Sequence, residues 1–232
     1  MLAGVRLHPG AANRVSRETE IEMLRLHQCV ETLLPNRPSK VIQFIGPSGG
    51  VGVSAIVNAF GDVVARRVGK RVLSVDVVEM ERGWNALALE MERHPGVASP
   101  MVAGNERIAE GFRNRQIMAN VIGLPTQAQF PGLAGSPAGT LFQRRSLSAH
   151  WSRLSAATDL ILLDTPPAAA SATGLAVAPT ADGVILVIEA GVSGHADVVR
   201  AKEDIERSGG HLLGCVLNKR RSYLPRFIER WV

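Results

Sequence analysis

Residues 46–54 read Gly-Pro-Ser-Gly-Gly-Val-Gly-Val-Ser. They follow the apolar run Val41-Ile42-Gln43-Phe44-Ile45 and precede apolar residues at helical spacing from Val53 to Val68. A short buried strand, a glycine-rich turn and a helix, in that order, form the unit from which parallel, helix-covered sheets are built. In such a unit the backbone N–H groups of the turn and the N-terminus of the helix converge on one point, which favours phosphate. The layout is that of a phosphate-binding loop. Ser54 stands where that loop places its Mg²⁺-facing hydroxyl, and Gly69 is placed to end the helix.

The loop departs from its pattern in its charge. The residue that should reach the β- and γ-phosphates is lysine, and Val53 occupies its position. The related pattern K-G-G-x-G-K-[ST], used by the MinD/ParA group, carries a second lysine at its start, where Ser48 stands. The expected nucleotide-binding residues are therefore Gly49, Gly50, Val51, Gly52, Val53 and Ser54, acting chiefly through backbone N–H groups. With both lysines missing, binding of ATP or ADP with Mg²⁺ is expected to be weak or absent. The other lysines are Lys40, Lys70, Lys202 and Lys219. Lys40 and Lys70 precede strands and belong at the opposite edge of the sheet. Lys219, with Arg220 and Arg221 beside it, is the one lysine expected near the site, and its substitution for the missing cation is not expected.

Two further apolar segments end in acids. Arg71–Asp76 is a strand expected one helix after the loop, and Asp159–Asp164 is another, followed by Thr165-Pro166-Pro167. Strands that deliver carboxylates at their carboxyl ends place charge where open α/β sheets bind ligands. An Asp at a strand end taken alone is more often a turn former. Strands are also expected at Ala119–Leu124, Gly183–Ile188 and His211–Leu217, with helices between them. Glu90–Gly104 and Gln127–Gly139 are expected as loops near the nucleotide face. The fold class is thus a doubly wound α/β domain with a mostly parallel sheet, of the P-loop NTPase type.

These segments, with Leu124-Pro125-Thr126 and Leu213–Asn218, resemble the cytoplasmic domain of bacterial tyrosine kinases of the CpsD/CapB type, within the MinD/ParA branch of P-loop ATPases. The resemblance runs from about Glu22 to Asn218. It implies that Asp164 is the Walker B acid, that Asp76 is the second acid near Mg²⁺ and the attacking group, and that Asn218 contacts adenine. Ser54, Asp76 and Asp164 would then face Mg²⁺, and Asp76 and Asp164 would carry any catalysis. It also implies a role in capsule and exopolysaccharide export beside a membrane polysaccharide co-polymerase, or chain-length regulator. The chain departs from the family at Val53 and at Val78, where an acid is expected two residues after Asp76. It also has a single tyrosine, Tyr223, in place of a terminal tyrosine cluster. The expected function is that of a degenerate, kinase-like accessory or regulatory partner. The alternatives are an active ATPase or tyrosine kinase with a lysine-free loop, and a MinD/ParA-like positioning or cellulose-synthesis factor.

The 232 residues suffice for one α/β core, with hydrophobic content of 46%. Three segments are expected: a flexible arm over 1–17, the P-loop domain over 18–220, and an amphipathic tail over 221–232. Thr19 and Glu22 read as a capping box opening a helix that Pro35 ends. Glu22-Met23-Leu24-Arg25 partly matches the family's oligomerisation motif E-x-x-R-x-x-R, whose last arginine is Gln28, so a homo-oligomer and packing on the chain's own sheet are both open. In the tail, Leu224, Phe227, Ile228 and Trp231 recur at helical spacing beside Arg226 and Arg230.

Cys29 and Cys215 are expected as reduced, buried thiols, and the six histidines show no metal-ligand spacing. No apolar run is long enough to span a bilayer, and the first residues do not read as a secretory signal. The expected location is the cytoplasm, peripheral at the inner face of the membrane through a partner. The charge of +5 is spread along the chain and aromatic content is only 4%, which argues against nucleic acid.

Overall fold

The structure is a computed structural model that describes residues 5–7, 15–78 and 144–220. The strand expected at 119–124, the loops at 90–104 and 127–139, the 124–126 motif, and the tail with Tyr223 lie outside the described residues. In chain order the elements are β1 (Val5–Leu7), α1 (Arg17–Leu33), β2 (Lys40–Ile45), α2 (Val53–Val63), β3 (Val72–Asp76), α3 (Arg144–Ser155), β4 (Leu160–Asp164), α4 (Ala172–Val177), β5 (Gly183–Glu189), α5 (His195–Arg207) and β6 (Leu212–Asn218).

The strands form one sheet in the order β1-β3-β4-β2-β5-β6. β3, β4, β2, β5 and β6 run parallel, and β1 alone pairs antiparallel, placing Val5 opposite Val75. This is the doubly wound, mostly parallel sheet expected from the sequence. Within the segment expected as an arm, Val5–Leu7 forms an edge strand. Its three residues are too few to show a period of two in the sequence.

Both faces of the sheet are covered over β2, β3, β4 and β5, which is why these strands are mainly apolar, while β6 is half-exposed. All of β2 is buried. Along β4 the side chains alternate between faces, as strand geometry requires: Leu160 and Leu162 pack with α1 and α2 residues Met23, Val30, Phe60 and Val63. Ile161 and Leu163 pack on the other side with Leu147, Trp151 and Leu154 of α3. Phe60 is fully buried and lies 5.7 Å, centroid to centroid, from the Phe44 ring at 54°.

Local signals explain the helix limits. α1 is capped by Ser16, whose Oγ accepts the Thr19 N–H at 3.1 Å, so the cap lies three residues before the expected one. Thr19 sits inside the first turn, with its hydroxyl 2.8 Å from Ser16 Oγ. The helix stops ahead of Pro35, as Pro geometry demands. α2 runs on through a π turn at Val64–Val68 until Gly69, at φ 76°, reverses the chain. Glu22 and Arg25 pair with each other at 2.7 Å on the exposed face of α1.

Both cysteines are exposed, contrary to the expected burial. Cys29 falls between the inward positions His27 and Val30 of α1, and Cys215 lies on β6, whose outer edge pairs with no strand among the described residues.

Lys40 and Lys70 lie at the amino-terminal ends of β2 and β3, away from the loop. Lys40 is buried and donates to Glu31 at 2.8 Å and to the Arg37 carbonyl at 2.9 Å. Lys70 pairs with the same Glu31. Beside them His27 is buried, and its Nδ1 makes no hydrogen bond. Burial above all, and then the charges of Lys70 and Lys40, push its pKa below the ordinary value, with Glu31 partly opposing. The folded protein therefore resists a proton that the unfolded chain accepts. Stability should fall as pH drops below about 6.5, by at most about 1.4 kcal/mol per pH unit for this one group. Burial pushes the Glu31 carboxyl up, but the hydrogen bonds and charges of Lys40 and Lys70 outweigh it and hold its pKa below the ordinary value, so Glu31 adds a loss of the same sign only at lower pH, in the carboxylate range. Urea melts at pH 7 and pH 5 should show the loss, and His27→Gln should flatten it.

Candidate functional site

The loop between β2 and α2 is shaped by its backbone. Gly52 is the N-cap of α2 at φ 92°, and a Cβ built there would lie 2.4 Å from the Asn218 amide nitrogen. Only glycine tolerates both the positive φ and this approach. Val51 is buried, while Ser48, Gly49 and Gly50 are exposed at the tip. Val53 is part of the first helical turn and packs against the core cluster that holds Phe44 and Phe60. The position where the pattern calls for a phosphate-facing cation is thus a half-buried apolar side chain that leans on the core.

Three oxygen-bearing side chains meet at the carboxyl ends of the strands. β3 and β4 finish in register, so Asp76 is directly opposite Asp164. The Ser54 hydroxyl donates to Asp164. Burial raises the pKa of Asp164, with the neighbouring Asp76 charge adding to the rise and the Ser54 hydrogen bond opposing it. Ser54, Asp76 and Asp164 are therefore brought together as the sequence suggested. Val78, where an acid is missing, follows β3 as a half-buried apolar residue.

The stretch after Asp164 is sewn to the loop. Ala168 N–H donates to the Gly46 carbonyl at 2.9 Å and Ala169 N–H to the Pro47 carbonyl at 3.3 Å. Beneath it, fully buried Gln43 donates to Thr165 Oγ1 at 3.0 Å and to the Gly174 carbonyl at 2.7 Å. Thr165 Oγ1 in turn donates to the Phe44 carbonyl at 2.8 Å. Sequence reasoning passed over Gln43. A single amide inside an otherwise apolar strand was the available signal, since a buried polar side chain needs partners.

From the far side, the end of β6 closes on the loop. The Asn218 amide donates to the Val51 carbonyl at 2.9 Å and accepts the Lys219 N–H at 2.8 Å. Lys219 Nζ donates to the Gly50 carbonyl at 2.7 Å and to Glu189 Oε2 at 2.9 Å. Lys219 is thus brought onto the loop itself, and Glu189, which the sequence did not single out, holds it there. Arg220 is exposed, and Arg221 lies outside the described residues. Among the described residues no group of three or more His, Cys, Asp or Glu side chains is placed to hold a metal, and no helix is long and apolar enough to cross a membrane.

A carboxylate whose charged form is disfavoured costs stability at neutral pH. With its pKa raised, Asp164 weakens the fold as pH climbs through its folded pKa. Asp164→Asn keeps an acceptor for Ser54 and removes the charge. It should raise the thermal midpoint at pH 7, by roughly 2–4 °C for each kcal/mol regained, and the gain should shrink at pH 4. Matched calorimetric scans of the two proteins check this.

Comparison with known proteins agrees with this geometry. A family model described as AAA domain matches residues 39–208. The chain is 27% identical to the EpsB protein of Ralstonia solanacearum over 208 residues, 89% of this chain but 26% of EpsB. It is 41% identical over 61 residues to the tyrosine-protein kinase CpsD of Streptococcus agalactiae, covering 26% of this chain and 27% of CpsD. The chain therefore spans about a quarter of the length of EpsB. In fold it is similar to the kinase domain of the Escherichia coli tyrosine kinase ETK, with a TM-score of 0.55 at 15% identity over 89% of this chain and 78% of that one. It is also similar to the chimerical protein CapA2B2, with a TM-score of 0.57 at 16% identity over 93% of this chain and 89% of that one. With its loop, its paired strand-end acids and the family match over most of its length, the chain belongs to the AAA domain family of P-loop proteins, as a relative of the CpsD-type bacterial tyrosine kinases.

Proposed function

We propose that this protein is a degenerate, tyrosine-kinase-like P-loop protein that acts by binding, as an accessory or regulatory partner of a membrane polysaccharide co-polymerase in capsule or exopolysaccharide export. The observation that carries the reading is the mismatch within one site. The hydroxyl and carboxylates of Ser54, Asp76 and Asp164 converge, while the phosphate-facing position is Val53, a half-buried apolar side chain that packs against the core. A hydroxyl and carboxylates are hard oxygen donors of the kind Mg²⁺ takes together with phosphate oxygens, so these residues would hold that ion. Mg²⁺ would supply charge neutralisation at the phosphates. The loop N–H groups would orient the nucleotide, and Asn218 would lie near its base.

Phosphoryl transfer depends on positioned charge. Removing one preorganised donor costs roughly 2.7–4 kcal/mol, about 10²–10³ in rate. The second acid is also missing at Val78, so binding outlasts turnover. The partner and the location at the inner face of the membrane are inferred from the family resemblance. An active lysine-free ATPase or kinase is the competing reading, and Lys219 on the loop is what favours it.

Complementation separates the two. In a strain lacking the gene, Asp76→Asn should restore polysaccharide output as fully as the unmodified protein if the role is binding alone. Failure of a stably folded Asp76→Asn protein that still binds Mg²⁺ and ADP as tightly as the unmodified protein would overturn the accessory reading in favour of catalysis.

A further inference from the structure

We propose that Lys219, delivered from the end of β6, provides the cation that faces the phosphates of a nucleoside di- or triphosphate on the Gly46–Ser54 loop. This rests on the reading of the loop as a nucleotide site and adds the residue that replaces the missing lysine.

The other lysines are committed elsewhere. Lys40 and Lys70 share Glu31 at the opposite edge of the sheet, and Lys202 faces Glu206 on α5 at 3.8 Å. Lys219 alone touches the loop, through the Gly50 carbonyl. Its placement is built rather than incidental. It is the one non-glycine residue at positive φ among the described residues, at 55°. A side chain in that conformation is strained, and such strain is kept where the surroundings over-determine it. Here the Asn218 amide does so, binding the Lys219 N–H on one side and the Val51 carbonyl on the other.

The chemistry of the ammonium suits the task. It has three donors on a flexible stem, of which the Gly50 carbonyl and Glu189 take two. A phosphate oxygen can take the third without either bond breaking. Glu189 keeps the half-exposed ammonium beside the loop. The Gly50 carbonyl lies at the exposed tip, so releasing it exposes a group that water can satisfy.

The test is calorimetric titration of the full chain with Mg²⁺ and ADP, comparing the unmodified protein, Lys219→Ala, and the double variant Val53→Lys with Lys219→Ala. Circular dichroism and thermal melts confirm that each is folded. Loss of one charge-assisted contact should weaken binding by about tenfold or more in Lys219→Ala, and Val53→Lys should restore it in the double variant. Equal affinity of Lys219→Ala and the unmodified protein overturns the Lys219 role and leaves the nucleotide reading standing. Weakened binding that Val53→Lys does not restore also overturns it, because Lys219 would then act only by pinning the loop. Absence of binding by the unmodified protein overturns the nucleotide reading, and the Lys219 role with it.

Discussion

Val53→Lys is expected to tighten binding of Mg²⁺ with ADP or ATP by about 10- to 100-fold, while ATP turnover remains low. A charge-assisted hydrogen bond contributes about 1.5–3 kcal/mol, and each 1.4 kcal/mol is a factor of about ten in affinity. The substitution gives up part of the packing that Val53 makes against the Phe44 and Phe60 cluster, but the aliphatic stem of lysine can cover the same apolar surface. Binding and catalysis separate because Val78 still lacks the second carboxylate. Calorimetry and phosphate release on the same preparations measure the two effects independently. Unchanged affinity would mean that Val53 does not occupy a phosphate-facing position.

The largest effect on stability is expected at Phe60. It is fully buried, lies tilted against Phe44 at 5.7 Å and meets the His27 ring at 6.4 Å, so it joins α2 to the sheet and to α1. Phe60→Ala should cost about 3–5 kcal/mol from lost transfer energy and a residual cavity. Against a total stability of about 5–15 kcal/mol, that loss brings the protein close to unfolding, and the thermal midpoint should fall by roughly 6–20 °C. Urea melts should show a lower midpoint at an unchanged slope. A loss under about 1 kcal/mol would mean that α2 is held by contacts other than this one.

The parallel part of the sheet was readable because β2, β3, β4, β5 and β6 are mainly apolar runs, and β3 and β4 each end in an acid. Asp76 and Asp164 could be paired in advance, since parallel strands that end in acids put both at the same edge. Local competition between neighbouring caps hid the start of α1: Ser16 and Thr19 are both able to cap, and only the backbone decides between them. Cys29 and Cys215 were misread as buried because thiols are usually interior, whereas one lies on the outer face of α1 and the other on an edge strand. Lys219 shows the limit of reading along the chain. Its position after Asn218 placed it near the site, but its contact with the Gly50 carbonyl depends on the β2-β5-β6 order and on a left-handed backbone angle, neither of which its neighbours in sequence disclose. Gln43 was visible as the odd residue in β2, but its partners Thr165 and Gly174 are more than a hundred residues away.

We propose that the loop is a binding scaffold whose phosphate-transfer chemistry has been lost. Steady-state phosphate release from the unmodified protein, with saturating ATP and Mg²⁺ and with Asp164→Asn in parallel, tests it most directly. Because Val78 leaves the second acid missing, release is expected to be no faster than that of Asp164→Asn. Release at ordinary ATPase rates of about 1–10³ per second, abolished by Asp164→Asn, would contradict it.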